Sequence, residues 1–220
     1  DDSTSWVSAA NTIESIDRDA LSSATPSFYM HDVEVGIEGS LAHVGNTSFR
    51  GEFRLYRLNE DGSAGALFAT VASTGVYVEK ESLRPLPLPR REELLQHCVL
   101  QSQRTTRSPQ ASQRPSDAYV WATAVRQTEC DNLGHLNNTR YAMYAEDAVG
   151  AAVYHGAFSD QPGVLALAQR PSCSMHINYI HEVKPYEPLY CAVWHEPVGH
   201  AFVVEMRIGE GGSTADGGTL

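Results

Sequence analysis

TECDNLGHLNNTRYAMYAEDA, residues 128–148, is the stretch of sequence that decides the fold. A strand-like run leads into it and a helix-like run leads out of it. At the junction stand a carboxylate (Asp131), a glycine (Gly134) and an imidazole (His135). A helix start exposes unpaired backbone N–H groups and carries a partial positive charge. A carboxylate and a histidine beside such a start can attack a polarised carbonyl, or activate water against it, so the stretch predicts a hydrolytic site.

The junction supplies the groups that hydrolysis of an activated acyl compound needs. Backbone N–H groups near Gly134 can polarise a carbonyl, and glycine lets a substrate approach the backbone closely. Asp131 can attack the carbonyl carbon or draw a proton from water. His135 can orient that carboxylate or act as the base itself. The side chains of Asn137 and Asn138 can cap the helix or bind water.

The spacing D-x-x-G-H-x-N-N-x-x-Y-x-x-x-x-E-x-A, from Asp131 to Ala148, resembles the signature of hotdog-fold thioesterases in the 4-hydroxybenzoyl-CoA and acyl-ACP thioesterase group. The resemblance implies that Asp131 is the catalytic carboxylate and that the amide near Gly134 polarises the thioester. Plant acyl-ACP thioesterases are similar but carry D-x-N-x-H, and Leu133 replaces their asparagine. Another hotdog branch has its catalytic acid on the central helix, where Glu146 is the nearest residue here.

The resemblance also implies that substrate binds along the first turns of the helix. The candidate binding residues are Asn137, Asn138, Tyr141 and Glu146. A carboxylate before a helix is often only a turn or cap residue. His135 and Glu146 have a structural alternative, which is to hydrogen-bond the loop or the helix, and Asn138 is equally suited to a plain N-cap.

The chain also repeats itself. Phe49–Leu55 (FRGEFRL) matches Phe202–Ile208 (FVVEMRI) at an offset of 153 residues, and Tyr29–Val33 matches Tyr179–Val183 at an offset of 150. The longer runs alternate between apolar and polar residues, which is typical of strands with one buried face. Two copies of one domain explain the repeat, with chance similarity between amphipathic strands as the alternative.

The repeat predicts a first unit over residues 1–100, a linker over 101–117 and a second unit over 118–220. The first copy lacks a counterpart of the opening strand and of the signature, and the second stops before its last strands. We therefore expect a fragment of a longer tandem protein. The resemblance implies an α+β architecture: two hotdog units, each a long central helix wrapped by a curved antiparallel sheet, packed as an intramolecular pair. A homo-oligomer is compatible with it.

Local patterns predict the individual elements. The expected helices cover 6–21, 90–100 and Asn138–His155, and the expected strands cover 28–37, 41–58, 66–79, 118–128, 174–183, 189–195 and 200–208. Proline makes residues 84–89 extended. Asn137 or Asn138 suits the N-cap of the long helix and Gly156 its C-terminal end. Its alanines make that helix thin enough to lie close to a sheet.

Composition narrows the choice of partners. The net charge of −11 argues against nucleic acid, and no apolar run reaches the ~20 residues that span a bilayer. Four scattered cysteines without a C-x-x-C pair favour a reducing compartment, cytoplasmic or organellar, over secretion. We assign no metal and no cofactor, because H-E-x-x-H, Cys/His clusters and glycine-rich phosphate loops are missing from the sequence. The lack of G-x-S-x-G argues against a serine hydrolase.

The sequence as a whole therefore predicts hydrolysis of an acyl-CoA or acyl-ACP thioester to free acid and thiol. Two alternatives stay open. One is a hotdog enoyl-CoA hydratase or dehydratase, which would share the fold and the acyl carrier. The other is a non-catalytic module that binds acyl thioesters.

Overall fold

The computed structural model describes residues 4–15, 34–98, 112–131, 133–170, 172, 174–197 and 201–209. The chain divides into unit 1, Asp1–Ser108 with Ser172–Ile180, and unit 2, Pro109–Pro171 with His181–Leu220. In chain order the elements are β1 (Thr4–Ser15), β2 (Val35–Val44), β3 (Ser48–Leu58), β4 (Ala64–Glu79), α1 (Arg91–Gln96), β5 (Tyr119–Ala124), a 3₁₀ turn (Gln127–Glu129), α2 (Asn138–Tyr154), α3 (Pro162–Ala168), β6 (Ser174–Asn178), β7 (Pro188–Glu196) and β8 (Ala201–Ile208).

Unit 1 is built on an antiparallel sheet with the strand order β2-β3-β4-β1-β6. The strand expected over 41–58 is split in two, because Gly45 and Asn46 make a turn that separates β2 from β3. The strand expected over 28–37 lies outside the described residues up to 33, and so does the repeated stretch Tyr29–Val33. Pro85 bridges Val78 of β4, in agreement with the extended conformation predicted for 84–89.

The helix predicted over 6–21 is wrong for residues 6–15, which form strand β1; residues 16–21 lie outside the described part. The spacing of Trp6, Ala9, Ala10 and Ile13 imitates a helical face. The backbone of β1 instead pairs with β4 along one edge and with β6 along the other. The Trp6 ring centroid lies 5.0 Å from that of Phe49 on β3 and 5.0 Å from that of Tyr77 on β4. Two ladders of hydrogen bonds and these ring contacts outweigh the weak local preference.

Unit 2 contains the long helix that the sequence predicts. Helix α2 packs against a three-stranded antiparallel sheet with the order β5-β7-β8. Its buried residues are Tyr141, Tyr144, Ala148 and Ala152, a spacing that keeps them on one helix face. Ala148 and Ala152 are 0 % exposed, which brings the helix backbone close to the sheet. Gly156, with φ of 76°, follows the helix end in the left-handed conformation that glycine favours.

The α+β class is confirmed, with differences in detail. Strand β5 is shorter than the predicted 118–128, because the chain turns through the 3₁₀ segment before the signature. Helix α3 was not predicted; it begins at Pro162, in the first-turn position that proline tolerates. Among the described residues, no helix is long and apolar enough to cross a bilayer, and no three His, Cys, Asp or Glu side chains converge as metal ligands.

Candidate active site

The signature loop, Asp131–His135, is a tight loop that joins the 3₁₀ turn to helix α2; its residue 132 is not described. Cys130 and Leu136 form an antiparallel bridge at its base. The Asp131 N–H donates to the His135 carbonyl at 2.8 Å, and the Gly134 N–H donates to the Asp131 carbonyl at 3.1 Å. Gly134 has φ of 79°, and a Cβ added there would meet nothing within 4 Å. Glycine is therefore required by the backbone, and the space above it is open to a substrate.

The Asp131 carboxylate is half-buried and is held by its own loop. Its Oδ1 accepts the N–H of Leu133 at 2.9 Å and, more weakly, the N–H of His135 at 3.4 Å. Both of these hydrogen bonds reach Oδ1, so they fix the carboxylate while leaving Oδ2 uncommitted within the described residues. A carboxylate with one fixed and one available oxygen is suited to attack on a carbonyl or to accepting a proton.

His135 makes its side-chain contact with Glu182, not with Asp131. The Nε2 of His135 lies 3.0 Å from Oε2 of Glu182, and the two side chains are 28 % and 32 % exposed. The backbones next to this pair are also joined. Leu136 follows His135 and Val183 follows Glu182, and the Leu136 N–H donates to the Val183 carbonyl at 2.7 Å. Leu136 and Val183 are both buried, so the backbone under the pair is fixed. An imidazole with a carboxylate partner is oriented to take up a proton.

The remaining predicted residues follow along helix α2. Asn137 is the N-cap: its Oδ1 accepts the backbone N–H of Thr139 at 3.0 Å and the Thr139 hydroxyl at 2.8 Å. Asn138 is exposed in the first turn, and Tyr141 is buried. Glu146 is also exposed and lies about 12 Å along the helix axis from Asn138. The structure thus brings Asp131, Gly134 and His135 together and leaves Glu146 apart from them.

A hydrogen bond between Glu129 and Tyr144 joins the 3₁₀ turn before the signature loop to helix α2 after it. The Tyr144 hydroxyl donates to Oε2 of Glu129 at 2.6 Å, and the Arg126 N–H donates to the same oxygen at 2.9 Å. Burial opposes ionisation of Glu129, but these two hydrogen bonds and the charges of Arg126 and Arg140 outweigh it and lower the pKa of the carboxyl. Burial and the bond to Glu129 raise the pKa of Tyr144 above its usual range. The Tyr144–Glu129 contact is thus a charge-assisted hydrogen bond, and it lies two residues before the signature loop.

The comparisons with known proteins are confined to structure. No family model matches the chain, and no curated protein sequence matches it either. The structure is similar to an acyl-ACP thioesterase from Bacteroides thetaiotaomicron, with a TM-score of 0.62 and 15 % identity over 94 % of this chain and 72 % of the other. It is also similar to the 12:0-ACP thioesterase from Umbellularia californica, with a TM-score of 0.61 and 14 % identity over 94 % of this chain and 76 % of the other.

The chain has the hotdog fold. The structural neighbours place it with the fold of the hotdog thioesterases, as the signature implied. At this level of identity the likeness establishes the fold and leaves the reaction to be argued from the site.

Sequence reasoning missed Glu182 in this hotdog chain. A signal existed: the repeated stretch carries an acidic residue at the same position in both copies, Asp32 in the first and Glu182 in the second. Repetition of that kind was interpreted as evidence for two domains. The sequence separates Glu182 from His135 by forty-seven positions, and in the folded chain the backbone bond between Leu136 and Val183 lies next to their contact.

The thiols near the site are poor nucleophiles. Burial, followed by the charges of Asp131 and Glu129, raises the pKa of Cys130, and its sulfur donates to the Arg126 carbonyl at 3.6 Å. Burial raises the pKa of Cys191 on β7 to about 12. Since the thiolate is the reactive form of cysteine, a raised pKa makes both thiols less reactive at neutral pH. The carboxylate of Asp131 and the imidazole of His135 are therefore the candidate reactive groups of the signature loop.

Proposed function

We propose that the chain belongs to a hydrolase of acyl thioesters, acyl-CoA or acyl-ACP, that releases a free acid and a thiol. One observation carries the proposal: the loop that starts helix α2 holds both the Asp131 carboxylate, with one available oxygen, and the His135 imidazole, which is paired with Glu182. The proposal is also supported by the fold, because acyl-ACP thioesterases are among the structural neighbours.

The chemistry assigns Asp131 the role of nucleophile or general base. As a base it accepts a proton from water while the water oxygen attacks the thioester carbon. The carbon–sulfur bond then breaks, and the thiolate leaves with a proton returned from the site. As a nucleophile, Oδ2 attacks the thioester carbon, and the carbon–sulfur bond breaks to release the thiolate. Water then hydrolyses the resulting mixed anhydride to the free acid and the Asp131 carboxylate. His135, paired with Glu182, carries the proton between water and the leaving sulfur in either route.

The amides of the signature loop are proposed to polarise the thioester carbonyl. The Gly134 N–H is engaged by the Asp131 carbonyl at 3.1 Å, whereas the His135 N–H makes only the long 3.4 Å bond to Asp131. The His135 amide is therefore the one that a substrate oxygen captures at least cost, and the open space above Gly134 admits that oxygen. Asn138 and Tyr141 are proposed to bind substrate beside it, and the N-cap Asn137 positions the helix start.

The two units are proposed to be copies of one hotdog domain. The offset of 153 residues found in the sequence places Val35 of β2 on Pro188 of β7 and Ser48 of β3 on Ala201 of β8. Each of these four residues begins its strand. The same hairpin thus recurs at the same spacing, which supports duplication over chance similarity.

The test is the substitution Asp131→Asn in the full-length protein, assayed on a panel of acyl-CoAs and acyl-ACPs by thiol release. We expect kcat to fall by about 10²–10⁴-fold, the usual contribution of a group that attacks or transfers protons. Glu182→Gln, which keeps the shape of its side chain, should cost about tenfold or more. Asp147→Asn changes the same charge on the exposed side of helix α2 and should leave kcat within about twofold.

The outcomes separate the proposal from its alternatives. Near-normal turnover by a folded Asp131→Asn protein would contradict it. Hydration of crotonyl-CoA without thiol release would identify a hydratase instead. Tight binding of acyl-CoA by the unmodified protein, without thiol release or hydration, would identify a binding module.

A further inference from the structure

The signature loop is the tip of a short stem made of two antiparallel segments. The first segment is residues 129–130 and the second is residues 136–137. Cys130 and Leu136 form the bridge of the stem, and the Asn137 N–H donates to the Glu129 carbonyl at 3.0 Å. The carboxylate of the loop follows the first segment and its imidazole precedes the second. Each candidate reactive group is therefore attached to its own segment.

Different parts of unit 2 hold the two segments. The second segment is held through its backbone, since the Leu136 N–H donates to the Val183 carbonyl at 2.7 Å, next to the contact between the imidazole and its carboxylate partner. The first segment is held through a side chain, since Oε2 of Glu129 accepts the Tyr144 hydroxyl of helix α2 at 2.6 Å. The anchor beside the imidazole is thus separate from the anchor beside the loop carboxylate.

The Glu129 anchor controls the direction of the Asp131 side chain. Cys130, which lies between these two residues, is extended, with φ of −89° and ψ of 149°. In an extended chain, side chains two positions apart point to the same side. A rotation of the segment that turned Asp131 away would therefore also pull Glu129 off the Tyr144 hydroxyl. The Arg126 N–H donates to the same Glu129 oxygen at 2.9 Å and helps to hold it.

Tyr144 is itself fixed in the core of unit 2. The residue is 6 % exposed, and its ring centroid lies 6.1 Å from that of Trp121 on β5. The Ala124 carbonyl, at 3.4 Å, is a second and more distant acceptor for the hydroxyl. An apolar pair would fill the same space without the cost of burying polar groups, whereas a hydrogen bond also has a preferred direction. The polar pair is therefore suited to orienting the stem.

We propose that Tyr144 is a positioning residue, which acts through Glu129 to hold the Asp131 carboxylate in the direction that thioester hydrolysis requires. The catalytic part of this inference rests on the proposed function, while the geometry that it asserts is independent of turnover. Tyr144 acts on the carboxylate only through the stem. The His135 imidazole is attached to the other segment, so loss of the Tyr144 hydroxyl should leave it unchanged.

The first test is Tyr144→Phe in the full-length protein, which keeps the buried ring and removes the hydroxyl. We expect kcat for thioester hydrolysis to fall by about tenfold to a hundredfold, the effect of misplacing a reacting group by up to about 1 Å, with KM little changed. Tyr119→Phe is the matched control, because it removes a tyrosine hydroxyl where β5 contacts His155 at the opposite end of helix α2. It should keep the kcat of the unmodified protein. An equal fall in both variants would assign the loss to helix packing and contradict the proposal.

Substitutions of Glu129 test the same hydrogen bond from its other partner, and they decide the question if Tyr144→Phe does not fold. Glu129→Gln keeps an oxygen that accepts the Tyr144 hydroxyl and should retain most of kcat. Glu129→Ala removes the acceptor and should lose as much as Tyr144→Phe. The double variant Tyr144→Phe/Glu129→Ala should lose no more than either single variant, because all three lack one and the same bond. Additive losses would show two independent effects and overturn the proposal.

A measurement without turnover separates this inference from the proposed function. The Leu133 N–H donates to Oδ1 of Asp131 at 2.9 Å, so its amide shift follows the ionisation and the direction of that carboxylate. The ¹⁵N-labelled full chain is titrated by NMR from pH 7 toward about 3, through the usual range of a carboxyl pKa. Tyr144→Phe should reduce the pH-dependent shift of the Leu133 amide and leave the titration of the His135 imidazole as it is in the unmodified protein.

The outcomes of the titration are distinct from those of the activity assay. A reduced Leu133 shift with an unchanged imidazole supports the positioning of Asp131 by Tyr144 even if the chain hydrolyses no thioester. An unchanged Leu133 shift overturns the positioning role even if hydrolysis is found. Altered titration of both groups would show a general loosening of the loop and would overturn it as well.

Discussion

The hairpin β2–β3 of unit 1 and the hairpin β7–β8 of unit 2 match in sequence spacing but differ in burial. On β7, Leu189, Cys191, Ala192, Val193 and Trp194 are all buried. On β2, the four residues from Ile37 to Ser40 are exposed, and Ile37 is 67 % exposed. The two strands therefore differ in how much of their length is buried, since the buried residues of β2 are Ala42 and Val44 near its end.

The difference follows from what covers each strand. In unit 2, helix α2 packs on β5, β7 and β8, and its small residues Ala148 and Ala152 lie close to the sheet. In the described part of unit 1, the helix is α1, with six residues. Alternation of apolar residues thus indicates a strand in both hairpins, and the more extensively buried strand is the one that the long helix covers. The same helix carries the signature loop at its start, so the buried core and the candidate site lie together in unit 2.

The largest expected difference between the two hairpins is the loss of stability when one apolar side chain of β7 or of β2 is truncated. Leu189→Ala removes a side chain that is 0 % exposed and should lower the free energy of unfolding by about 2–5 kcal/mol. Ile37→Ala, on the corresponding strand of unit 1, should change it by less than about 0.5 kcal/mol. Urea unfolding followed by tryptophan fluorescence measures both. If both variants lost the same free energy of unfolding, β2 would be as well covered as β7, and the difference in burial between the two hairpins would be contradicted.

How far the sequence predicts this structure depends on whether an interaction is local. The sequence predicts helix α2, an N-cap at Asn137 or Asn138, and a glycine cap at 156, because each depends on residues within a few positions; the structure selects Asn137 as the N-cap. The signature loop was predicted for the same reason. Strand β1 was not, because its spacing of Trp6, Ala9, Ala10 and Ile13 fits a helix and only pairing with distant β4 and β6 decides against it.

The site shows the same limit. Asp131, Gly134 and His135 lie within five consecutive positions, so one motif reveals them together. Glu182 reaches His135 only after β6 and the following loop have been placed, and no local pattern reports that contact.

The second expected effect compares a charged hydrogen bond in unit 2 with a neutral one in unit 1. Tyr144→Phe removes the 2.6 Å bond to the Glu129 carboxylate and should cost about 1.5–3 kcal/mol. Tyr77→Phe removes a 2.8 Å bond from the Tyr77 hydroxyl to that of Thr4 and should cost about 0.5–1.5 kcal/mol. Thermal unfolding at pH 7 measures the difference, and a larger loss in Tyr77→Phe would contradict it.

The stability loss caused by Tyr144→Phe should depend on pH, and the direction of that dependence follows from the pKa of Glu129. The Glu129 pKa is lowered in the folded protein, so its contribution to stability is present above the ordinary value of 4.5 and is lost as pH falls through the folded pKa. The stability difference between the unmodified protein and Tyr144→Phe should therefore shrink as pH falls from 7 toward about 3. The difference for Tyr77→Phe, which involves two hydroxyl groups, should stay constant over that range.

The smallest expected effect on stability comes from replacing a glycine of positive φ by alanine. Comparing two such glycines separates the cost to the backbone from a loss of activity. Gly134 in the signature loop has φ of 79° and Gly62 in the turn between β3 and β4 has φ of 77°, and neither has an atom within 4 Å of an added Cβ. Alanine at either position should therefore cost a similar backbone penalty of about 1–2 kcal/mol. Gly134→Ala should in addition lower thioester hydrolysis, because the new methyl group enters the space proposed for the carbonyl oxygen. Gly62→Ala, measured in parallel by Tm and kcat/KM, should lose the same stability and keep full activity. If both variants keep full activity, the space above Gly134 is not used by the substrate, and the carbonyl must be polarised elsewhere in unit 2.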